Sequence, residues 1–140
     1  MPYTAEVRFP VRYSETDMMG IVHHSRYYPW FEAARCKFSA DIGVTFDKMN
    51  ELGFTTPVTE TGARYFHGAT FGDEVTVKCR LTALSPARCT FEFEVYRDSD
   101  NTLLTTGFTK HGFVNLELRP INLKKTFPDV WKALENSLTK

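Results

Sequence analysis

Several things are missing from this 140-residue chain, and each absence excludes a class of protein. There is no excess of charge: 17 lysines and arginines balance 17 aspartates and glutamates. The balance holds along the chain, with 7 basic and 8 acidic residues up to position 70 and 10 and 9 after it. No basic tail or block points to nucleic acid or an anionic membrane, although a local cationic patch for a phosphate-bearing ligand stays compatible. Long apolar runs are missing too; nothing approaches the roughly 20 residues of a membrane helix. The opening MPYTAEVRFPVRYSE lacks the basic-then-apolar pattern of a secretion signal. Cysteine is sparse and odd in number, at Cys36, Cys79 and Cys89 with no CxxC spacing. These features lead us to expect a soluble cytoplasmic protein in a reducing compartment. The chain also lacks HExxH, a P-loop, a dinucleotide fingerprint and a GxSxG elbow. No zinc or calcium site is therefore expected, nor a serine triad. The length suits one domain over residues 1–140 with a modest core.

What is present in excess is aromatic: 12 Phe, 6 Tyr and 2 Trp. Such residues favour strands, cores and interfaces. A Phe-rich core, or a core plus a subunit interface, would each account for them.

The hydrophobic pattern changes period along the chain. Residues 5–13 alternate, with Val7, Phe9, Val11 and Tyr13 on one phase, as in a strand with one buried face. Pro10 suggests an edge position or a bulge. Residues 14–26 show no sustained period and form a polar loop with Gly20 and the adjacent His23 and His24. From residue 27 to 43 the spacing turns helical: Tyr27, Phe31, Ala34, Phe38 and Ile42 share a face. Ser25 is a plausible cap, Pro29 fits an early turn, and Gly43 is a natural stop. Residues 44–54 read as a short helical or irregular connection. Strands follow at 55–67, 73–83, 88–97 and 102–115. Turns are expected at Ser85–Pro86 and Asp98–Asn101, and bulges or close approaches at Gly107 and Gly112. Cys79 and Cys89 fall on apolar phases and read as buried hydrophobes. A last helix spans about 129–138, with Val130, Leu134 and Leu138 inward. One antiparallel sheet wrapping one helix satisfies both patterns, an α+β arrangement, and pairing two copies edge to edge would remove an open edge.

The segment 15–27 is the candidate for chemistry. Asp17 lies after a strand and before the central helix. The helix-start N–H groups have no intrahelical partner and could hold an oxyanion while Asp17 attacks or activates water. Capping of a loop turn is the plain alternative for Asp17. One of His23 and His24 faces the site or serves the fold; in an extended chain they point to opposite sides, which disfavours a shared metal. His67 reads as structural or pocket-lining, and His111 as structural. Tyr27 sits beside the proposed oxyanion position. Arg64, with Lys78, Arg80 and Arg88, could meet phosphates.

The stretch YSETDMMGIVHHSRYYPWFEAAR (Tyr13–Arg35) resembles the signature region of the hotdog-fold acyl-CoA thioesterases of the 4-hydroxybenzoyl-CoA thioesterase and YbgC-like group. Asp17 and Gly20 match its DxxG, Ile21–Val22 its hydrophobic pair, His24 and Tyr27 its histidine before a tyrosine, and Phe31, Glu32, Ala34 and Arg35 its FExAR. Gly72 and Asp73 match a glycine–aspartate pair further on, and the similarity runs over about residues 5–135. The resemblance implies a hotdog subunit, a five-stranded antiparallel sheet wrapped around a long central helix. It implies dimers, often paired into tetramers, with sites at the dimer interface. It implies thioester hydrolysis in which Asp17 is nucleophile or general base, the Tyr27 backbone N–H polarises the carbonyl and His24 orients the reacting groups. Met19, Gly20, Ile21, Val22, His67 and Arg64 would contact substrate. Coenzyme A is then part of the substrate, and no cofactor is expected. Glu15 stands where the YbgC-like branch often has a second acid. Met18 and Met19 replace the small residues common after the aspartate. An aromatic residue stands at the His24 position in the benzoyl-specific branch, a departure that points away from strict 4-hydroxybenzoyl-CoA use. An acyl-ACP thioesterase, with an acyl carrier protein as partner, and a noncatalytic acyl-CoA binding protein are the competing expectations.

Overall fold

The fold is that of a computed structural model, which describes residues 2–138. Its elements are β1 (Thr4–Pro10), α1 (Tyr27–Asp41), α2 (Phe46–Leu52), β2 (Phe54–Thr55), β3 (Val58–Tyr65), β4 (Glu74–Leu84), β5 (Arg88–Arg97), β6 (Thr102–Gly112), β7 (Val114–Asn115), α3 (Leu123–Thr126) and α4 (Pro128–Ser137). Five strands form one antiparallel sheet in the order β1-β4-β5-β6-β3, and β2 pairs with β7. This is an α+β hotdog fold: the sheet wraps the long central helix α1.

The alternating strands place the core. Val75, Val77, Cys79 and Leu81 of β4 are buried, as are Cys89, Phe91, Phe93 and Val95 of β5. Register aligns them, with Val77 opposite Val95 and Cys79 opposite Phe93. On α1 the buried face is Tyr27, Trp30, Phe31, Ala34, Phe38 and Ser39. Phe31 stacks on Phe93 with centroids 4.6 Å apart, and Phe38 meets Phe91 edge-on. A Cβ on Gly107 would lie 2.5 Å from the Phe31 ring, so this glycine permits the close approach of helix and sheet. Burying a side chain such as Phe31 contributes ~2–3 kcal/mol.

Several boundaries differ from the periodicity. The first strand ends at Pro10 rather than residue 13, and Tyr13 is exposed in a short 3-10 turn (Tyr13–Glu15). Pro10 has no N–H for a ladder and β1 is an edge strand, as the proline suggests. Ser25 is not the cap: it lies inside a 3-10 turn (His24–Arg26), and the side chain of His23 accepts the Ser25 N–H. The central helix stops at Asp41, with Gly43 at φ +85°, and Gly53 at φ +98° ends α2. The stretch 55–67 divides at Pro57 into the end of β2 and β3. The stretch 102–115 divides at Phe113. Gly112 ends β6, and a side chain there would meet only ordinary contacts. Val130 and Leu134 of α4 are buried and Leu138 is partly so.

The aromatic surplus divides in two. Phe31, Phe38, Phe54, Phe91, Phe93, Phe113, Tyr27 and Trp30 are buried, whereas Tyr13, Tyr65, Phe66 and Phe71 are exposed. No helix among the described residues is long and apolar enough to cross a membrane.

Candidate active site

Residues 15–23 form a narrow two-armed loop between β1 and α1. At its tip the Gly20 N–H donates to the Asp17 carbonyl (2.9 Å), and the Asp17 N–H donates to the Ile21 carbonyl (2.9 Å). Gly20 sits at φ +80°, which L side chains rarely adopt, so the turn needs glycine. The Met19 N–H donates to Asp17 Oδ1 at 2.8 Å. That leaves Oδ2 without a protein partner among the described residues. At the base the His23 N–H donates to the Glu15 carbonyl (2.8 Å). The loop is strapped to the chain before β4: the Val22 N–H donates to the Ala69 carbonyl (2.9 Å), and Ile21 pairs with Thr70. Ile21 lies directly on Gly68, where a Cβ would come within 2.7 Å of its side chain.

The entry to the helix is equally constrained. The Arg26 N–H donates to the His23 carbonyl, and the Ser25 N–H to His23 Nδ1. Among the described residues, no acceptor is paired with the His24 N–H. The Tyr65 hydroxyl donates to the His24 carbonyl (3.1 Å), tying the end of β3 to this turn. Burial pushes the Tyr65 phenol up to about 12. The Tyr27 ring is buried against the sheet, and burial pushes its phenol up, opposed by Thr105 and the Ala69 backbone.

Glu15 is buried, 4% exposed, although it lies in this polar loop. Its carboxylate accepts hydrogen bonds from the Arg12 N–H (2.8 Å) and from Trp30 Nε1 (2.8 Å). Burial pushes the carboxyl up, but these bonds and the Arg12 guanidinium together hold it below its ordinary value.

One open cleft of about 300 Å³ collects these groups. Asp17, Met19, Ile21, Val22, His24 and Tyr27 line it from the loop and helix start. Tyr65, Phe66, His67 and Gly68 line it from the end of β3. Seven sequence-derived candidates thus converge there: Asp17, His24, Tyr27, Met19, Ile21, Val22 and His67. Two do not. Gly20 shapes the loop tip without lining the cleft. Arg64 lies on a separate furrow with Arg80, Glu92, Glu94 and Phe108, because strand alternation turns it away from its neighbour Tyr65. Tyr65, Phe66 and Gly68 were not legible as site residues. Their place depends on a turn in which the Phe66 and His67 N–H groups both reach the Leu104 carbonyl of β6 (2.8 and 3.2 Å).

Elsewhere the buried thiols and the buried histidine are inert. Burial pushes the Cys89 thiol up to about 12 and raises Cys79 as well, so neither is a thiolate nucleophile. His111 is fully buried, with Nδ1 bonded to the Thr56 carbonyl (2.9 Å) and Nε2 to the Thr109 hydroxyl (2.8 Å). Burial lowers it to about 4. Among the described residues, no group of three or more His, Cys, Asp or Glu side chains is placed to hold a metal ion.

Comparison with known proteins agrees with this fold. The family model described as "Thioesterase-like superfamily" matches residues 11–134. The chain is 31% identical over 122 residues to the acyl-CoA thioesterase YbgC of Haemophilus influenzae, covering 84% of this chain and 88% of that one. Among solved structures, a DHNA-CoA thioesterase from Staphylococcus aureus superposes with a TM-score of 0.89 at 29% identity, covering 95% of this chain and 89% of that one. A hypothetical protein, TT1821 from Thermus thermophilus, superposes with a TM-score of 0.87 at 35% identity, covering 99% and 100%. With the five-stranded sheet around one long helix and the cleft at the helix start, these matches show that the chain belongs to the thioesterase-like superfamily. It is a hotdog-fold hydrolase of CoA thioesters in the 4-hydroxybenzoyl-CoA thioesterase and YbgC-like group.

Proposed function

We propose that the cleft at Asp17 hydrolyses an acyl-CoA thioester, with Asp17 as the acting carboxylate and the start of α1 as the oxyanion site. The observation that carries this is the meeting of Asp17 and the helix start in one open cleft. The carbonyl oxygen of the thioester sits against the main-chain N–H groups at this turn, those of Tyr27 and of the partnerless His24. Partial positive charge at the helix end favours the negative oxygen as it develops. Asp17 Oδ2 acts on the carbonyl carbon from the other side. As general base it takes a proton from water, whose oxygen bonds to the carbon. As nucleophile it forms an anhydride that water then opens. Either way the C–S bond breaks, the sulfur leaves with the electron pair and takes up a proton, and the products are the free acid and coenzyme A. The His24 ring orients the reacting groups, and Met19, Ile21, Val22 and His67 contact substrate.

The aromatic walls support a ring-bearing acyl group. Tyr65 and Phe66 flank the cleft, and the Tyr65 ring lies 5.3 Å from that of Tyr27. The similar Staphylococcus aureus structure is a thioesterase named for DHNA-CoA.

The working unit in this reading is a homodimer joined along β3, itself able to pair into a tetramer. Strand β3 is a sheet edge whose side chains are all exposed or half-exposed, and Tyr65 and Phe66 continue that surface into the cleft. Sedimentation analysis should give a dimer or a multiple of it; a stable, active monomer would refute the pairing.

The activity test is a panel of CoA thioesters of graded chain length and ring type, with matched acyl-ACPs, against wild type and Asp17→Asn. Wild type should favour aromatic acyl-CoA. Asp17→Asn should lower kcat by about 10³-fold with little change in KM. Near-wild-type hydrolysis by that variant would sink the role of Asp17. Preference for acyl-ACP would redirect the substrate, and binding without turnover would mark a noncatalytic protein.

A further inference from the structure

We infer that Glu15 is a positioning residue for this hydrolysis: its carboxylate locks the loop carrying Asp17 to the first turns of α1. The inference rests on the assignment of Asp17 above.

Glu15 is the one acidic side chain among the described residues that is buried. Its surroundings make this unexpected, since Tyr13, Ser14 and Met18 are exposed. A buried carboxylate is costly unless its oxygens are bonded. Here Oε1 accepts the Arg12 N–H (2.8 Å), and Oε2 accepts Trp30 Nε1 (2.8 Å) and Arg12 Nη2 (3.4 Å). The Glu15 carbonyl accepts the His23 N–H (2.8 Å). One residue is thereby fastened to the exit of β1, to the opposite arm of the loop and to the central helix.

The Trp30 bond determines what this achieves. The exposed Arg12 guanidinium contributes little on its own. Trp30 is 3% exposed, its ring edge-on to Tyr27 at 5.0 Å and stacked on Phe9 at 6.1 Å. It is therefore a fixed post, three residues beyond Tyr27 and so about one helical turn in. Asp17 is two residues beyond Glu15. The Glu15–Trp30 bond sets the separation between the acting carboxylate and the oxyanion site, the distance to which attack is most sensitive. A misplacement of about 1 Å can cost about 100-fold in rate.

The test compares Glu15→Met, Trp30→Phe and the double variant by kcat, KM and melting temperature, each repeated on the Asp17→Asn background. Each single variant should stay folded at the assay temperature, lose about 10- to 100-fold in kcat and hold KM within about threefold. The double variant should lose no more than the worse single, because both remove the same bond. On the Asp17→Asn background neither should reduce turnover further. Should Glu15→Met fail to fold, Trp30→Phe removes the same bond from the apolar side and carries the test. A kcat within twofold of wild type, multiplying losses in the double variant, or a further loss on the Asp17→Asn background would overturn the inference. Wild-type turnover by Asp17→Asn alone would overturn the assignment beneath it; full loss there with intact Glu15→Met turnover overturns only the role of Glu15.

Discussion

Two regions of this chain, the core under the sheet and the cleft at the start of α1, follow opposite rules. Under the sheet, Phe31, Phe38, Phe91, Phe93 and His111 are buried, and every polar atom of His111 has a partner. At the helix start, Asp17, Met19, Phe66 and His67 stand in an open cleft. The histidines show the contrast most directly. His111, enclosed and twice hydrogen-bonded, is held neutral, whereas His24 and His67 are exposed and free to meet a ligand. With the site proposed above, stability resides under the sheet and chemistry at the helix start, so substitutions in the two regions should move different measurements.

The sharpest probe of the division is Phe31→Ala. It removes a ring stacked on Phe93 and packed on Gly107, and should cost about 3–5 kcal/mol of unfolding free energy in denaturant titrations.

Next is acid. Folded His111 stays neutral down to about pH 4, whereas in the unfolded chain it takes up a proton near 6.5. Below 6.5 the unfolded chain binds more protons, so stability should fall by about 3 kcal/mol between pH 6.5 and 4 and level off below. His111→Gln should flatten that part of the curve; an unchanged slope would assign it to other groups.

Tyr65→Phe lies on the border between the regions. Losing the bond to the His24 carbonyl should cost about 1 kcal/mol of stability and a few-fold in kcat/KM. The smallest stability change should come from Asp17→Asn, within about 0.5 kcal/mol, because an amide oxygen can still accept the Met19 N–H. A loss there as large as that of Phe31→Ala would abolish the distinction between the regions.

Much of the fold was legible in the sequence alone. The alternation in 73–83 and 88–97 matches β4 and β5 closely, because period two over ten residues has few other solutions. The helical face from Tyr27 to Phe38 was equally clear. Boundaries failed where backbone chemistry overrode hydrophobic phase. Tyr13 continued the apolar alternation but lies in a turn after Pro10, and Pro57 divided an otherwise strand-like stretch. Ser25 has the chemistry of a cap, yet the His23 ring, two positions earlier, accepts the Ser25 N–H in that role.

By itself, the sequence determined the central helix, the strands that wrap it, and the loop 14–26 with Asp17 near its start. These follow from local periodicity and turn chemistry, which neighbouring residues settle among themselves. Only the tertiary structure decided that Tyr65, Phe66 and Gly68 join Asp17, that Arg64 does not, and that Glu15 is buried against Trp30. Those outcomes depend on strand register and on contacts between residues 15 to about 50 positions apart, and local pattern carries no record of either.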